Sequence, residues 1–181
     1  MSLKSVKIGL CGIGTVGSGT LAVLRDNAED ILARTRVPIE VVHLGARRDN
    51  PSCDPGDARV SRDVLDVARD PDVAIVVELI GGTTVAKELV ETAIRHGKHV
   101  VTANKTLIAE FGNENFALAD EHGLEVRFEA AVAGGIPIIK ALREGLAGNR
   151  VEWLACIING TAIFILTEMR DKGREFADVL A

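Results

Sequence analysis

Residues 6–17 read VKIGLCGIGTVG. The first six, Val6 to Cys11, form a short apolar run rich in strand-forming side chains. Gly12-Ile13-Gly14-Thr15-Val16-Gly17 follows at once. From Val16 to about Ala33, Leu21, Leu24, Ala28 and the pair Ile31–Leu32 recur at helical spacing. A strand, a glycine turn and a helix in direct succession open a βαβ unit.

The alternation continues along the chain. IEVVHLGA (39–46), DVAIVVELI (72–80), HVVTA (99–103) and LEVRFEA (124–130) read as strands. Val85 to His96 and Asn113 to His122 read as helices, closed by Gly97 and Gly123. DNPSCDPGD (49–57) is a turn-rich surface excursion. Largely apolar strands, separated by helices, imply a parallel sheet buried on both faces. The expected fold class is α/β, a Rossmann-type doubly wound sheet.

Composition narrows the function classes. The chain has 181 residues, 47% of them hydrophobic, with a formal net charge of −5. No basic run suits nucleic acid or an anionic membrane, and aromatic residues are only 3%. Cys11, Cys53 and Cys156 show neither disulfide nor zinc spacing. Without a leader-like N-terminus or a long apolar stretch, the chain reads as a soluble, cytoplasmic protein.

The glycine motif gains meaning from its context. Gly12 makes the tight turn, Gly14 lets the backbone approach a pyrophosphate, and Gly17 allows close helix–strand packing. Ile13, Thr15 and Val16 supply backbone at the helix start, where N–H groups face phosphates. At the end of the second strand, an NAD binder usually carries an acid for the ribose hydroxyls. Here Arg47 and Arg48 come first, which favours NADP over NAD because a guanidinium suits the 2′-phosphate. Ligands in such sheets lie over the carboxyl ends of the strands. Gly81, Gly82 and Thr83 follow the third strand, while Thr102 and Lys105 close the fourth, so all are candidate cofactor contacts.

Taken together, GIGTVG, ELIGG, VVTANKTLIA, FEAAVAGGIPIIKALREGLAGN and IINGT followed by ILT resemble homoserine dehydrogenase. The matching blocks run in order from Val6 to about Phe176. The resemblance implies NAD(P)H-dependent interconversion of aspartate 4-semialdehyde and homoserine, on the route to threonine and methionine. It makes Lys105 the catalytic lysine beside the nicotinamide, half-buried and able to stabilise charge on the substrate oxygen. It assigns Glu129, Val132, Gly134 and Ile136 to a monovalent cation, sodium in most members. Gly160 and Thr161 fall on the substrate side, with Asn159, and a homo-oligomer, most simply a dimer, is implied.

Three departures stand out. Thr83-Thr84-Val85 replaces a segment in which the family commonly has proline, and Ile163 stands where it has asparagine. The family also continues past EFADVLA into a segment with an acidic substrate site and a second lysine. The expected organisation is a cofactor domain over 1–131 and the start of an α+β catalytic domain over 132–181. A chain of this extent is expected to bind cofactor without turnover. VEWLACIIN (151–159) is expected to be a strand whose apolar edge promotes self-association. Other readings are a different NADP-dependent semialdehyde or amino-acid dehydrogenase, or a non-catalytic dinucleotide-binding module.

Overall fold

The structure, a computed structural model, describes residues 5–155 and 160–180. It divides into two compact units, Met1–Ile139 and Lys140–Ala181.

The first unit is built on six parallel strands: β1 (Val6–Cys11), β2 (Ile39–Gly45), β3 (Arg59–Ser61), β4 (Ile75–Glu78), β5 (His99–Thr102) and β6 (Val126–Arg127). Their order is β3-β2-β1-β4-β5-β6. The chain winds outward from β1 in one direction and then, from β4, in the other. This is the doubly wound arrangement that the alternating pattern implies, with the switch of direction between β1 and β4.

The helices of this unit are α1 (Thr15–Asp26), α2 (Ala28–Thr35), α3 (Val64–Arg69), α4 (Thr84–Arg95) and α5 (Lys105–Glu121). Alternation along the strands sends neighbouring side chains to opposite faces. Val76 joins Leu89, Val90, Ile94 and Leu107 in one core cluster, whereas Val77 joins Ile8, Leu10, Leu21 and Leu44 in the other. The first cluster lies under α3, α4 and α5, the second under α1. Truncating one such fully buried leucine to alanine typically costs about 3 kcal/mol.

Several expected boundaries shift. The single helix expected from Val16 to Ala33 is two, because Asn27 ends α1 and begins α2 outside helical geometry. The strand expected over 72–80 shortens to Ile75–Glu78. Beyond the 49–57 excursion, the chain forms β3 and α3, neither of them expected. Helix α5 starts at Lys105, eight residues before the expected start at Asn113, since the Asn104 side chain accepts from the Leu107 N–H and caps it.

A short α6 (Ile138–Lys140) runs across the boundary between the units, and a wider turn, Ala141–Gly145, α7 (Gly160–Lys172) and α8 (Phe176–Leu180) follow in the second. Of the strand expected over 151–159, residues 151–155 carry no ladder, because no described segment pairs with them. The rest of it, with Cys156 and Asn159, lies outside the described residues.

Candidate functional site

A cleft of about 840 Å3 opens over the carboxyl ends of β1, β2 and β4. Gly12–Gly14, residues 45–51, Arg62–Val64 and residues 79–85 line it. It therefore sits at the switch point of the sheet, where a parallel α/β fold leaves room for a ligand.

The glycine turn is shaped by close contact. Gly12 has φ 100°, and a Cβ on Gly17 would lie 1.8 Å from the Gly12 carbonyl oxygen. Only glycine at both positions lets α1 start this close to β1. Gly14 differs: a Cβ there would meet nothing within 4 Å, so its bareness serves the cleft and not the packing. Gly14 is also the N-cap of α1 and offers no side-chain hydrogen bond. The first-turn amides of Thr15, Val16 and Gly17 are thus left to a ligand, and an anion suits them. A residue that sequence reasoning missed holds this turn: Asn50 Nδ2 donates to the Ile13 carbonyl at 2.7 Å.

The far rim of the cleft is basic. Arg47 and Arg48 are exposed on it. Arg62, also missed, joins them, because pairing of β3 with β2 carries the following residue to the same edge. Arg62 Nη2 donates to Asp49 Oδ1 at 2.7 Å and its Nη1 to the Ala46 carbonyl at 3.4 Å. The one acid near the end of β2 is thereby tied to a guanidinium.

Gly81, Gly82 and Thr83 form the wall nearest β4. Gly81 and Gly82 have φ 72° and 71°, a left-handed pair that side-chain-bearing residues rarely adopt. Beneath them the fully buried Glu78 accepts from the Ile80 amide at 2.9 Å and the Gly81 amide at 3.2 Å. Thr102 and Lys105 do not line the cleft. Thr102 is buried and donates to Glu78 Oε2 at 2.5 Å. Lys105 is the first residue of α5 and is exposed, not half-buried as expected. A cation at a helix N-terminus opposes the macrodipole at a cost of about 0.3–1 kcal/mol, so helix stability does not account for it.

Elsewhere the expected residues are spread over both units. Glu129 opens a 3-10 turn ending at Ala131, and its Oε1 accepts from the Ile139 N–H at 2.9 Å. Val132 is extended, Ala133 has φ 47°, and Ile136 is exposed. Among the described residues, no group of three or more His, Cys, Asp or Glu side chains could hold a metal ion. Gly160 and Thr161 open α7 of the second unit. Cys11 is buried, and burial first, then the charge of Glu78, push its thiol far up, which rules it out as a nucleophile. No helix among the described residues is long and apolar enough to cross a membrane.

A second polar cluster lies away from the cleft. Buried His43 is within 2.8 Å of Asp70 Oδ2 through Nδ1 and 2.8 Å of Ser61 Oγ through Nε2. Arg59 completes the set with an ion pair to Asp70. The order Ser–His–Asp resembles a hydrolytic triad, but His43 is sealed from solvent and here ties β2, β3 and the end of α3 together.

Residues 12–129 match the family profile described as homoserine dehydrogenase, NAD binding domain, and residues 137–181 match that of homoserine dehydrogenase. The chain belongs to the homoserine dehydrogenase family. It is 62% identical over 179 residues to the homoserine dehydrogenase of Pseudomonas aeruginosa, covering 99% of this chain and 41% of that protein. The crystal structure of a homoserine dehydrogenase from Thiobacillus denitrificans superposes with a TM-score of 0.92 at 57% identity, over 98% of this chain and 42% of that one. A hyperthermophilic archaeal homoserine dehydrogenase, solved in complex with NADPH, superposes with a TM-score of 0.76 at 28% identity, over 98% of this chain and 60% of the other. This member of the family thus spans about two fifths of the length of its curated bacterial relatives. Its first unit is the family's NAD(P)-binding domain.

Proposed function

We propose that the chain binds NADP(H) in the switch-point cleft and forms the cofactor-binding part of an enzyme that interconverts aspartate 4-semialdehyde and homoserine. The observation that carries this reading is the cleft itself. At one end the uncapped start of α1 presents amides, and at the other stand three arginines, Arg47, Arg48 and Arg62. The amides suit the pyrophosphate and the arginines suit a 2′-phosphate. With Asp49 held by Arg62, the carboxylate that would favour an unphosphorylated ribose is already engaged.

When bound, the cofactor supplies the hydride. The chain's residues orient it: the glycine turn holds the phosphates, and Gly81, Gly82 and Thr83 border the nicotinamide end. Lys105, at the exposed start of α5, stabilises the negative charge that develops on the substrate oxygen. Gly160 and Thr161 belong to the substrate side in this reading. Glu129 and the carbonyls of Val132, Gly134 and Ile136 offer an all-oxygen set, the chemistry of a hard monovalent cation such as sodium.

A chimera tests the activity, with this chain replacing the matching part of the Pseudomonas aeruginosa relative. Homoserine-dependent reduction of NADP+ is expected, and Lys105→Ala should lower kcat at least about 100-fold. A chimera that binds NADPH but never oxidises homoserine would overturn the assignment.

A further inference from the structure

We propose that Glu78 is a positioning residue that sets the nicotinamide end of the cleft and the start of α5 as one unit. The inference rests on the cofactor reading above and deepens it.

Glu78 ends β4 and is fully buried, and its carboxylate is the acceptor in each of its side-chain hydrogen bonds. Oε1 takes the Ile80 and Gly81 amides, which holds the left-handed glycine pair in the cleft wall. Oε2 takes the Thr102 hydroxyl, from the residue paired with Glu78 across β4 and β5. Since the Thr102 hydrogen is committed to Glu78, its oxygen is free to accept, and it takes the Asn104 amide at 3.0 Å. Asn104 closes the circuit: Nδ2 donates to the Gly82 carbonyl at 2.6 Å, while Oδ1 caps the Leu107 amide at 3.1 Å. The carboxylate is thus connected at both ends to one loop, Ile80–Gly82, and through that loop to the helix beginning at Lys105.

A neutral core would not need this acid, because burying a carboxylate is costly unless donors meet it. The donors that meet it are two amides of the cleft wall, Ile80 and Gly81, and the buried Thr102 hydroxyl at the end of β5 behind that wall. None belongs to the α1 turn or the arginine rim. The circuit therefore governs one half of the cofactor site and leaves the other half alone.

That division gives the test. Wild type and Glu78→Gln are titrated with NADPH, following nicotinamide fluorescence, and separately with 2′,5′-ADP, which carries only the phosphorylated adenosine end. Glutamine keeps the shape but presents an amide donor to the Thr102 oxygen, which leaves the hydroxyl hydrogen without its acceptor. The expected result is NADPH binding weakened about tenfold, with the fluorescence gain lost, and 2′,5′-ADP affinity changed less than about twofold. Equal loss of both ligands, or loss of neither, would overturn the proposal. Wild type that binds neither ligand would instead overturn the cofactor reading itself. Thr102→Val and Thr102→Ser guard against a Glu78 variant that fails to fold. Valine should reproduce the selective NADPH defect and serine should restore binding; a valine variant indistinguishable from wild type would overturn the proposal.

Discussion

Arg62 and Asp49 meet at 2.7 Å on the rim of the cleft, thirteen residues apart in the chain and joined only because β3 pairs with β2. In the proposed NADP(H) reading, the pair engages the acid at this edge with a guanidinium that stands beside Arg47 and Arg48. Arg62→Ala should therefore raise the Kd for NADPH roughly tenfold, with little change for NADH, as expected for losing a charge-assisted contact to phosphate. Competitive titration with both cofactors measures it. An equal loss for both would show that Arg62 serves the loop and not the phosphate.

Two glycines of one motif should fail in different ways. Gly17→Ala puts a methyl group 1.8 Å from the Gly12 carbonyl and should destabilise the fold by about 3 kcal/mol or more. Gly14→Ala meets no protein atom within 4 Å and should melt within a few degrees of wild type, yet lose most of its NADPH affinity. Thermal melts and cofactor titrations on the same samples separate the two.

The His43–Asp70 cluster predicts an acid limb to stability. Burial pushes the Asp70 carboxyl up, but the Asp72 amide, His43 and the Arg59 guanidinium outweigh it and hold the group below its ordinary value. Folding thus favours the ionised form. Its contribution is fully present above the ordinary carboxylate value, about 4, and is lost as pH falls through the lower folded value. Asp70→Asn should flatten that part of the stability profile and cost about 1–3 kcal/mol at pH 7, since it takes the charged acceptor away from buried His43 while Arg59 stays exposed to solvent. Urea melts across pH 2.5–7 provide the check.

The second unit exposes large apolar side chains, including Trp153, Leu154, Phe164 and Leu166, with Trp153 79% accessible. Exposed surface of this kind favours association. Sedimentation velocity should show concentration-dependent self-association, and Trp153→Ser with Phe164→Ser should reduce it. A monomer throughout the micromolar range would contradict the expectation.

The doubly wound sheet is legible because each long strand is predominantly apolar and the first is followed directly by its glycine turn. β3 was not, being three residues of which the first is Arg59. A strand that short has no period to read and exists only through its neighbour β2. Arg62 was lost with it. Glu78 does carry a signal, an acid at the end of an apolar run. Its partner Thr102 lies 24 residues on, and only the register of β4 against β5 brings them together. Lys105 falls at the carboxyl end of the sheet, but the start of its helix is hard to read, because Gly112 and Asn113 interrupt the spacing of Leu107, Ile108 and Phe111 and the start is set by the Asn104 cap.

Calorimetric titration of this chain with NADPH and with NADH decides whether the cleft is an NADP(H) site. Saturable binding at one site per chain is expected, with NADPH preferred about tenfold or more. Binding of neither cofactor by a folded sample, or equal affinity for both, would contradict it.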